Sequence, residues 1–257
     1  MKKVSLIAPL SLGLAAIVPL SAAAETEFGY SPWYASVSGT VSDQGREVSL
    51  REELQLNSSA SHGFLVDEGG WLRLNYTPVD YSAQGQVTSE TQFGGSVYPV
   101  SADLLTDADL TDMGLRLLWH PGEQTDFGLG VTVKVIDADI RVTNMDSGGD
   151  GGLLGGLLGG GGDDEPSTER ETVSEVFPML SLAYNNPLTE LFSVGGEASY
   201  ITYQDDEVLE FAAHIEFRGE ALGLRLGWQE KRYDISDNGF TLDARFNGAY
   251  AQLSVYL

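Results

Sequence analysis

Three histidines, His62, His120 and His214, are the residues of this chain best suited to moving protons near neutral pH. His214 shares the parity of Glu216 in an alternating stretch, and a neighbouring stretch carries Ser193, Glu197 and Ser199 at equivalent positions. A serine-type or acid–base hydrolytic site can therefore be drawn on paper. Alternation alone supplies such neighbours, however, and no Gly-x-Ser-x-Gly elbow occurs. Cysteine is absent, which excludes disulfides, thiolate metal sites, a cysteine nucleophile and a lipidated N-terminal cysteine. With 38 acidic and 14 basic residues the net charge is −24, which repels polyphosphates and argues against a nucleic-acid partner. Nothing in the sequence points to a cofactor or a resident metal.

The elements that would position these groups are strands. Thr111, Met113, Leu115, Leu117 and Trp119 alternate with Asp112, Gly114, Arg116, Leu118 and His120, a period of two. The same alternation recurs from Phe127 to Val135, Phe192 to Tyr200, Leu209 to Arg218 and Leu222 to Gln229. Together with the turn signals it predicts about ten strands, over 30–41, 59–68, 71–92, 97–119, 127–144, 172–184, 190–203, 208–218, 222–235 and 244–257. Connectors such as Glu68-Gly69-Gly70 and Gly219 to Leu222 are short, whereas 42–58 and 145–171 are long and fall at the opposite end of an up-and-down meander. Within the third run the apolar parity shifts from Leu72, Leu74 and Tyr76 to Val79 and Tyr81, for which a bulge at Pro78 is the expected device.

Alternation does not say which face looks inward; the aromatic positions break the tie. Trp33, Trp119, Phe127, Tyr184, Phe192 and Phe217 share the apolar parity and lie near the short-turn ends, where they would form a membrane-interface girdle, with Tyr200 and Trp228 in a second ring. Lys2 and Lys3, the apolar run Val4 to Leu20 and Ser21-Ala22-Ala23-Ala24 read as a secretory signal cleaved after Ala24. Beyond it no uncharged apolar stretch approaches the roughly 20 residues of a spanning helix. The expected fold is therefore all-β, a closed antiparallel up-and-down transmembrane β-barrel of about ten strands over 25–257.

The signal segment, the alternating strands and a last strand reaching Leu257 resemble small outer-membrane β-barrel proteins of Gram-negative bacteria. More narrowly the chain resembles a poorly characterised family of about ten-stranded barrels, through Phe93-Gly94-Gly95 with Tyr98-Pro99, the run Ser193 to Tyr200, and Gly248-Ala249-Tyr250 through Leu257. The resemblance implies residence in the cell outer membrane, contact with its lipids and lipopolysaccharide, and assembly by the outer-membrane insertion machinery, which reads the last strand. Leu257 stands where phenylalanine is usual. The paired acids and Asp-His pair of ten-stranded outer-membrane proteases are not recognisable at matching positions.

A narrow barrel must fill its centre with paired polar groups, so Arg116, Lys134, Glu197, His214, Glu216 and Arg225 are read as an ionic network in the lumen, not as a catalytic site. The reading is a non-enzymatic barrel with a structural or surface-interaction role. A narrow pore for ions or small solutes, or an outer-membrane hydrolase using His214 or His62, stand as alternatives. The tract 146–165, with Leu-Leu-Gly-Gly repeated at 153–160, is expected to be a mobile loop lacking the spacing of a calcium motif. The set Asp103, Asp107, Asp109 and Asp112 is expected to be a solvated face that associates at most weakly with divalent cations.

Overall fold

The computed structural model describes residues 25–43, 46–121, 127–145, 167–237 and 239–257. The expected leader and the glycine- and aspartate-rich tract at 146–166 lie outside the described residues. The strands are β1 (Thr26–Asp43), β2 (Arg46–Ser49), β3 (Ser58–Glu68), β4 (Leu72–Gln86), β5 (Thr91–Phe93), β6 (Ser96–Tyr98), β7 (Asp103–Trp119), β8 (Phe127–Asn144), β9 (Thr168–Pro187), β10 (Phe192–Tyr203), β11 (Asp206–Arg218), β12 (Leu222–Asp237) and β13 (Phe240–Tyr256). Ten of them, β1, β3, β4 and β7 to β13, pair antiparallel in chain order. β13 then pairs back onto β1 from Glu27↔Tyr256 to Asp43↔Phe240, so every wall strand has two neighbours and the barrel is closed.

Three expected boundaries are corrected. The runs at 71–92 and 97–119 end and begin at Gln86 and Asp103, because the chain between them leaves the wall. Gly94 and Gly95, at φ +59° and +83°, make the two-residue turn of a separate hairpin, β5–β6. The connector at 42–58 contains β2, which pairs with β1 from Thr40↔Ser49 to Asp43↔Arg46, beyond the point where β3 stops at Ser58↔Ser36. Residues 168–171, expected in a loop, belong to β9. β2, the β5–β6 hairpin and the ends of β8 and β9 that flank 146–166 all lie at one end.

The expected bulge at Pro78 is also absent. β4 pairs with β7 in unbroken register from Leu72↔Leu117 to Gln86↔Asp103, and side chains keep alternating through Pro78. What changes is the solvent outside the wall. Below Pro78 the outward residues Leu72, Leu74 and Tyr76 are apolar and the inward Arg73, Asn75 and Thr77 polar. Above it the outward residues are Asp80, Ser82 and Gln84, while the inward Val79 and Tyr81 are 1% and 5% exposed.

The same inversion runs round most of the wall. On β7 it falls between Met113 and Asp109, on β8 between Val135 and Asp137, on β12 between Trp228 and Glu230, and on β13 between Ala249 and Asn247. The short-turn part carries four to five outward apolar rows on most strands, β3 being interrupted by His62, and exposes for example Leu117, Val131, Val133, Leu180, Phe211, Leu226 and Leu253. At about 6.6 Å between outward residues and a tilt of about 40°, those rows make a band of about 20–25 Å, the height of an outer-membrane hydrocarbon layer. This part is the transmembrane barrel. The rest stands above it as a head with the opposite pattern, polar outside and apolar inside. Its core joins Val37, Val41, Val79, Leu110, Ile136, Ile140, Phe177, Ile235 and Phe246 to Leu50, Leu54 and Leu56 from the turn after β2 and to Phe93 and Tyr98 from the β5–β6 hairpin.

Candidate functional site

The membrane half encloses the ionised side chains in tiers. Nearest the head, Lys134 on β8 and Lys231 on β12 face Asp112 on β7 and Glu210 on β11. Lys134 Nζ lies 2.9 Å from Asp112 Oδ1 and 2.5 Å from Glu210 Oε1; Lys231 binds Asp112 Oδ2 and lies 3.7 Å from Glu210. The Tyr233 hydroxyl, 3.1 Å from Asp112 Oδ2, caps this box on the head side. Two cations against two anions leave it neutral, the condition under which ionised groups tolerate exclusion from water.

The next tier is a bridge across the lumen. Glu197 on β10 accepts Arg73 Nη1 at 2.7 Å on one oxygen and Arg116 Nη1 on the other, and Arg73 Nε donates to Asp67 Oδ2 at 2.7 Å. Asp67 also accepts the Gly70 backbone N–H, which fixes the β3–β4 turn. Nearest the short turns, Glu216 accepts Arg225 Nη2 at 3.2 Å and the Tyr256 hydroxyl at 2.8 Å, while Glu27 accepts Gln252 Nε2 and the Ser254 hydroxyl, both at 2.6 Å. A cavity of about 140 Å³ lies between box and bridge, and one of about 630 Å³ opens at the short-turn mouth; Arg73, Arg116, Glu197 and Arg225 line both.

Of the six side chains expected in the lumen, Arg116, Lys134, His214, Glu216 and Arg225 point inward and are buried, and Glu197 is 25% exposed toward the cavities. Arg73, Glu210, Lys231, Glu27 and Tyr233 escaped sequence reading, although each occupies the polar parity of its strand. Asp112 corrects an expectation. Asp103, Asp107 and Asp109 face outward, but Asp112 has the opposite parity and is fully buried at the centre of the box.

Trp33 is a second correction. Trp119, Tyr184 and Phe217 are exposed and Phe127 and Phe192 partly so, the last tilted against Phe217 with centroids 5.1 Å apart; Trp33 is 1% exposed and lies inside. The outward row of β1 is Phe28, Tyr30, Pro32 and Tyr34, so the odd-numbered indole turns into the lumen. There it lies over the Lys231 ammonium, 5.5 Å from the ring centroid, at the level where ionic filling gives way to apolar core. Gly248 on β13 permits this, since a Cβ there would come within 1.7 Å of the Tyr34 carbonyl oxygen and 3.3 Å of the indole nitrogen.

The histidines are dispersed. His62 is on the outer wall, its Nδ1 2.6 Å from the Tyr30 hydroxyl and its ring stacked on that tyrosine. His120 and His214 line the short-turn mouth, where His214 Nδ1 has no hydrogen-bond partner among the described residues. No described hydrogen bond joins a histidine to a serine nucleophile, and no described group of three His or acidic residues is arranged to hold a metal ion.

No protein-family model and no curated protein sequence matches the chain. Solved structures do resemble it in shape. The outer-membrane protease OmpT from Escherichia coli aligns with TM-score 0.48 and 11% identity over 90% of this chain and 97% of its own. Ail, the attachment invasion locus protein of Yersinia pestis, aligns with TM-score 0.36 and 7% identity over 90% and 97%. The Pseudomonas putida toluene transporter TodX aligns with TM-score 0.36 and 10% identity over 90% and 89%.

Proposed function

We propose that this chain is a non-conducting barrel of the bacterial outer membrane that holds a rigid, acidic head outside the cell as a surface for interaction. The observation that carries the reading is the filling of the lumen. Above the Lys134–Asp112–Lys231–Glu210 box the interior is packed with Val37, Tyr81, Leu110, Ile136, Met179, Tyr233 and Phe246. A gap of about 30 Å³ in that packing, between Val37, Leu50, Tyr81 and Phe246, is lined by apolar carbon and stays dry. A hydrated path would have to replace this core. The six anticipated lumen residues act as structural filling, with Trp119, Phe127, Tyr184, Phe192 and Phe217 as the inner interface girdle.

The outer-membrane location is supported by the band height and by the collection of long connectors at one end. Export with cleavage after Ala24 belongs to the same reading, and Glu25 lies at the short-turn rim, its carbonyl accepting the Gly69 N–H. Insertion machinery and outer-leaflet lipids are the partners this reading implies. Hydrolysis is not favoured, because the head, the part a surface substrate would meet, carries none of the three histidines. Planar-bilayer recording tests the proposal. The wild-type barrel is expected to give no single-channel steps in molar KCl at either polarity; stable ohmic steps that persist in independent preparations would overturn it in favour of a narrow pore.

A further inference from the structure

The wall strands bring four arginines to the outer face of the head, and these stand as two cross-strand pairs. Arg232 on β12 is directly opposite Arg245 on β13, and Arg141 on β8 is directly opposite Arg170 on β9. Like charges in opposed positions repel. One carboxylate holds the first pair: Arg232 Nε and Arg245 Nη2 lie 2.5 and 2.6 Å from the two oxygens of Glu230. In the second, Arg141 Nη2, at 3.0 Å, and Arg170 Nη2 share Asp139 Oδ2, and Arg141 Nη2 also lies 3.4 Å from Asp109 Oδ2. Glu230 and Asp139 are 16% and 17% exposed, whereas the arginine side chains are 41% to 59% exposed. The Arg232–Arg245 cluster therefore has one positive charge in excess and guanidinium edges turned to the outside, whereas Asp109 leaves the Arg141–Arg170 cluster neutral.

Direction and height identify what those edges meet. Glu230 and Asp139 each precede their arginine by two residues on the bilayer side, so both pairs lean toward the membrane. Arg232 and Arg245 lean away from Asp234 and Asp243, which follow on the far side in directly opposed positions. Glu230 is the first outward residue beyond Trp228, the last ring of the apolar band, about 5 Å higher along the axis, within the headgroup layer of about 5–7 Å. Asp139 is the second outward residue beyond Val135, about 10 Å higher, which puts the Arg141–Arg170 cluster above that layer. A planar cation with free N–H edges at the depth of Arg232 and Arg245 matches a phosphate oxyanion in geometry and charge.

We infer that the Arg232–Arg245 pair is an anchoring site for the phosphate groups of outer-leaflet lipids. The inference rests on the outer-membrane reading and adds to it the residues that grip the leaflet. The pair gives an acidic surface a local hold on anionic lipid.

The full chain, purified in a neutral detergent, would be titrated with bisphosphorylated lipid A, with dephosphorylated lipid A and with inorganic phosphate, and bound molecules counted by native mass spectrometry. Wild-type protein is expected to prefer the phosphorylated lipid over both other probes. R232Q/R245Q is expected to bind it about tenfold or more weakly, whereas R141Q/R170Q, at a neutral cluster above the headgroup layer, is expected to bind it as the wild type does. E230Q frees two guanidinium groups and is expected to bind it more tightly, the reverse of what loss of a merely structural ion pair would do. Equal binding of phosphorylated and dephosphorylated lipid, unchanged binding in R232Q/R245Q, weaker binding in E230Q, or inorganic phosphate bound as tightly as the lipid would each overturn the inference. Heat-modifiable mobility verifies that each variant is folded, and E230Q decides the matter if R232Q/R245Q does not fold. Outer-membrane fractionation of the wild type, run in parallel, reports separately on the underlying localisation.

Discussion

Asp112 shows how much one buried residue can hold. It is fully buried, touches Lys134, Lys231 and Tyr233, and balances two ammonium groups that have no bulk water to turn to. Asp112→Asn keeps the shape and removes the charge, so the box is left with an uncompensated cation. The expected cost is about 3–5 kcal/mol, read as a lower urea midpoint of tryptophan fluorescence. Combining it with Lys134→Met restores neutrality and should recover part of the loss; a strictly additive double variant would show that the two groups do not form one unit. Asp234 makes the opposite case on the outer face of the head. Burial, then Asp243, Glu207 and Asp206, push its carboxyl above the ordinary value. A raised folded-state pKa means that Asp234 favours folding while protonated, and that this contribution is lost as pH rises through the raised value. Asp234→Asn should therefore stabilise the protein at neutral pH by a few tenths of a kcal/mol, an advantage that fades as the pH falls below the raised value, so that the acid limb of its stability profile becomes slightly steeper. A neutral-pH midpoint below that of the wild type would contradict this.

At the scale of the element, one strand serves two solvents. β8 turns Val131, Val133 and Val135 outward to lipid and, without a break in register, Asp137, Asp139, Arg141 and Thr143 outward to water. Its inward face changes in the reverse sense, from Thr132 and Lys134 to Ile136, Ala138, Ile140 and Val142. The same substitution should have unequal effects along it. Val133→Arg places a charge in the hydrocarbon layer and is expected to cost about 2–4 kcal/mol, whereas Thr143→Arg should be close to neutral. Comparing refolding yield and urea midpoint for the pair checks this, and equal costs would mean the inversion does not mark the membrane boundary. The β3–β4 seam is built differently. Its ladder covers only Phe64↔Tyr76 to Glu68↔Leu72, after which the Ser61 and Ser59 hydroxyls donate to the Pro78 and Asp80 carbonyls. Side-chain hydrogen bonds here replace the backbone pairing that stops just before Pro78, a residue with no N–H to give.

For the whole molecule the consequence is a barrel taller than its membrane. Nitroxide labels at Leu129, Val131 and Val133 should be relaxed mainly by oxygen, which concentrates in acyl chains, and labels at Asp139, Arg141 and Thr143 mainly by a water-soluble nickel chelate. Nickel-dominated relaxation at Val131 and oxygen-dominated relaxation at Arg141 would reverse the assignment of membrane and head. Inside the barrel, Arg73, Arg116, Glu197 and Arg225 line the short-turn mouth, and the apolar core of the head lies above Trp33.

The two-residue period by itself determined that the chain is a meander of about ten strands, and the polar parity of Arg116, Lys134, His214, Glu216 and Arg225 determined that they share a face. Those properties are local, fixed by the backbone pleat within each strand. The parity shift at Pro78 was equally visible, but its cause was not, since a bulge and a change of outside solvent leave the same mark on one strand. Only closure of the wall, which sets Pro78, Thr111 and Asp137 side by side on neighbouring strands, separates the two causes. Trp33 turned inward with the odd-numbered residues of β1, where Gly248 leaves room for the neighbouring strand, and Asp112 became the centre of the box because Lys134, Glu210 and Lys231 converge on it from three other strands. Such partners are chosen by register across a closed sheet, a long-range property that no window of sequence contains.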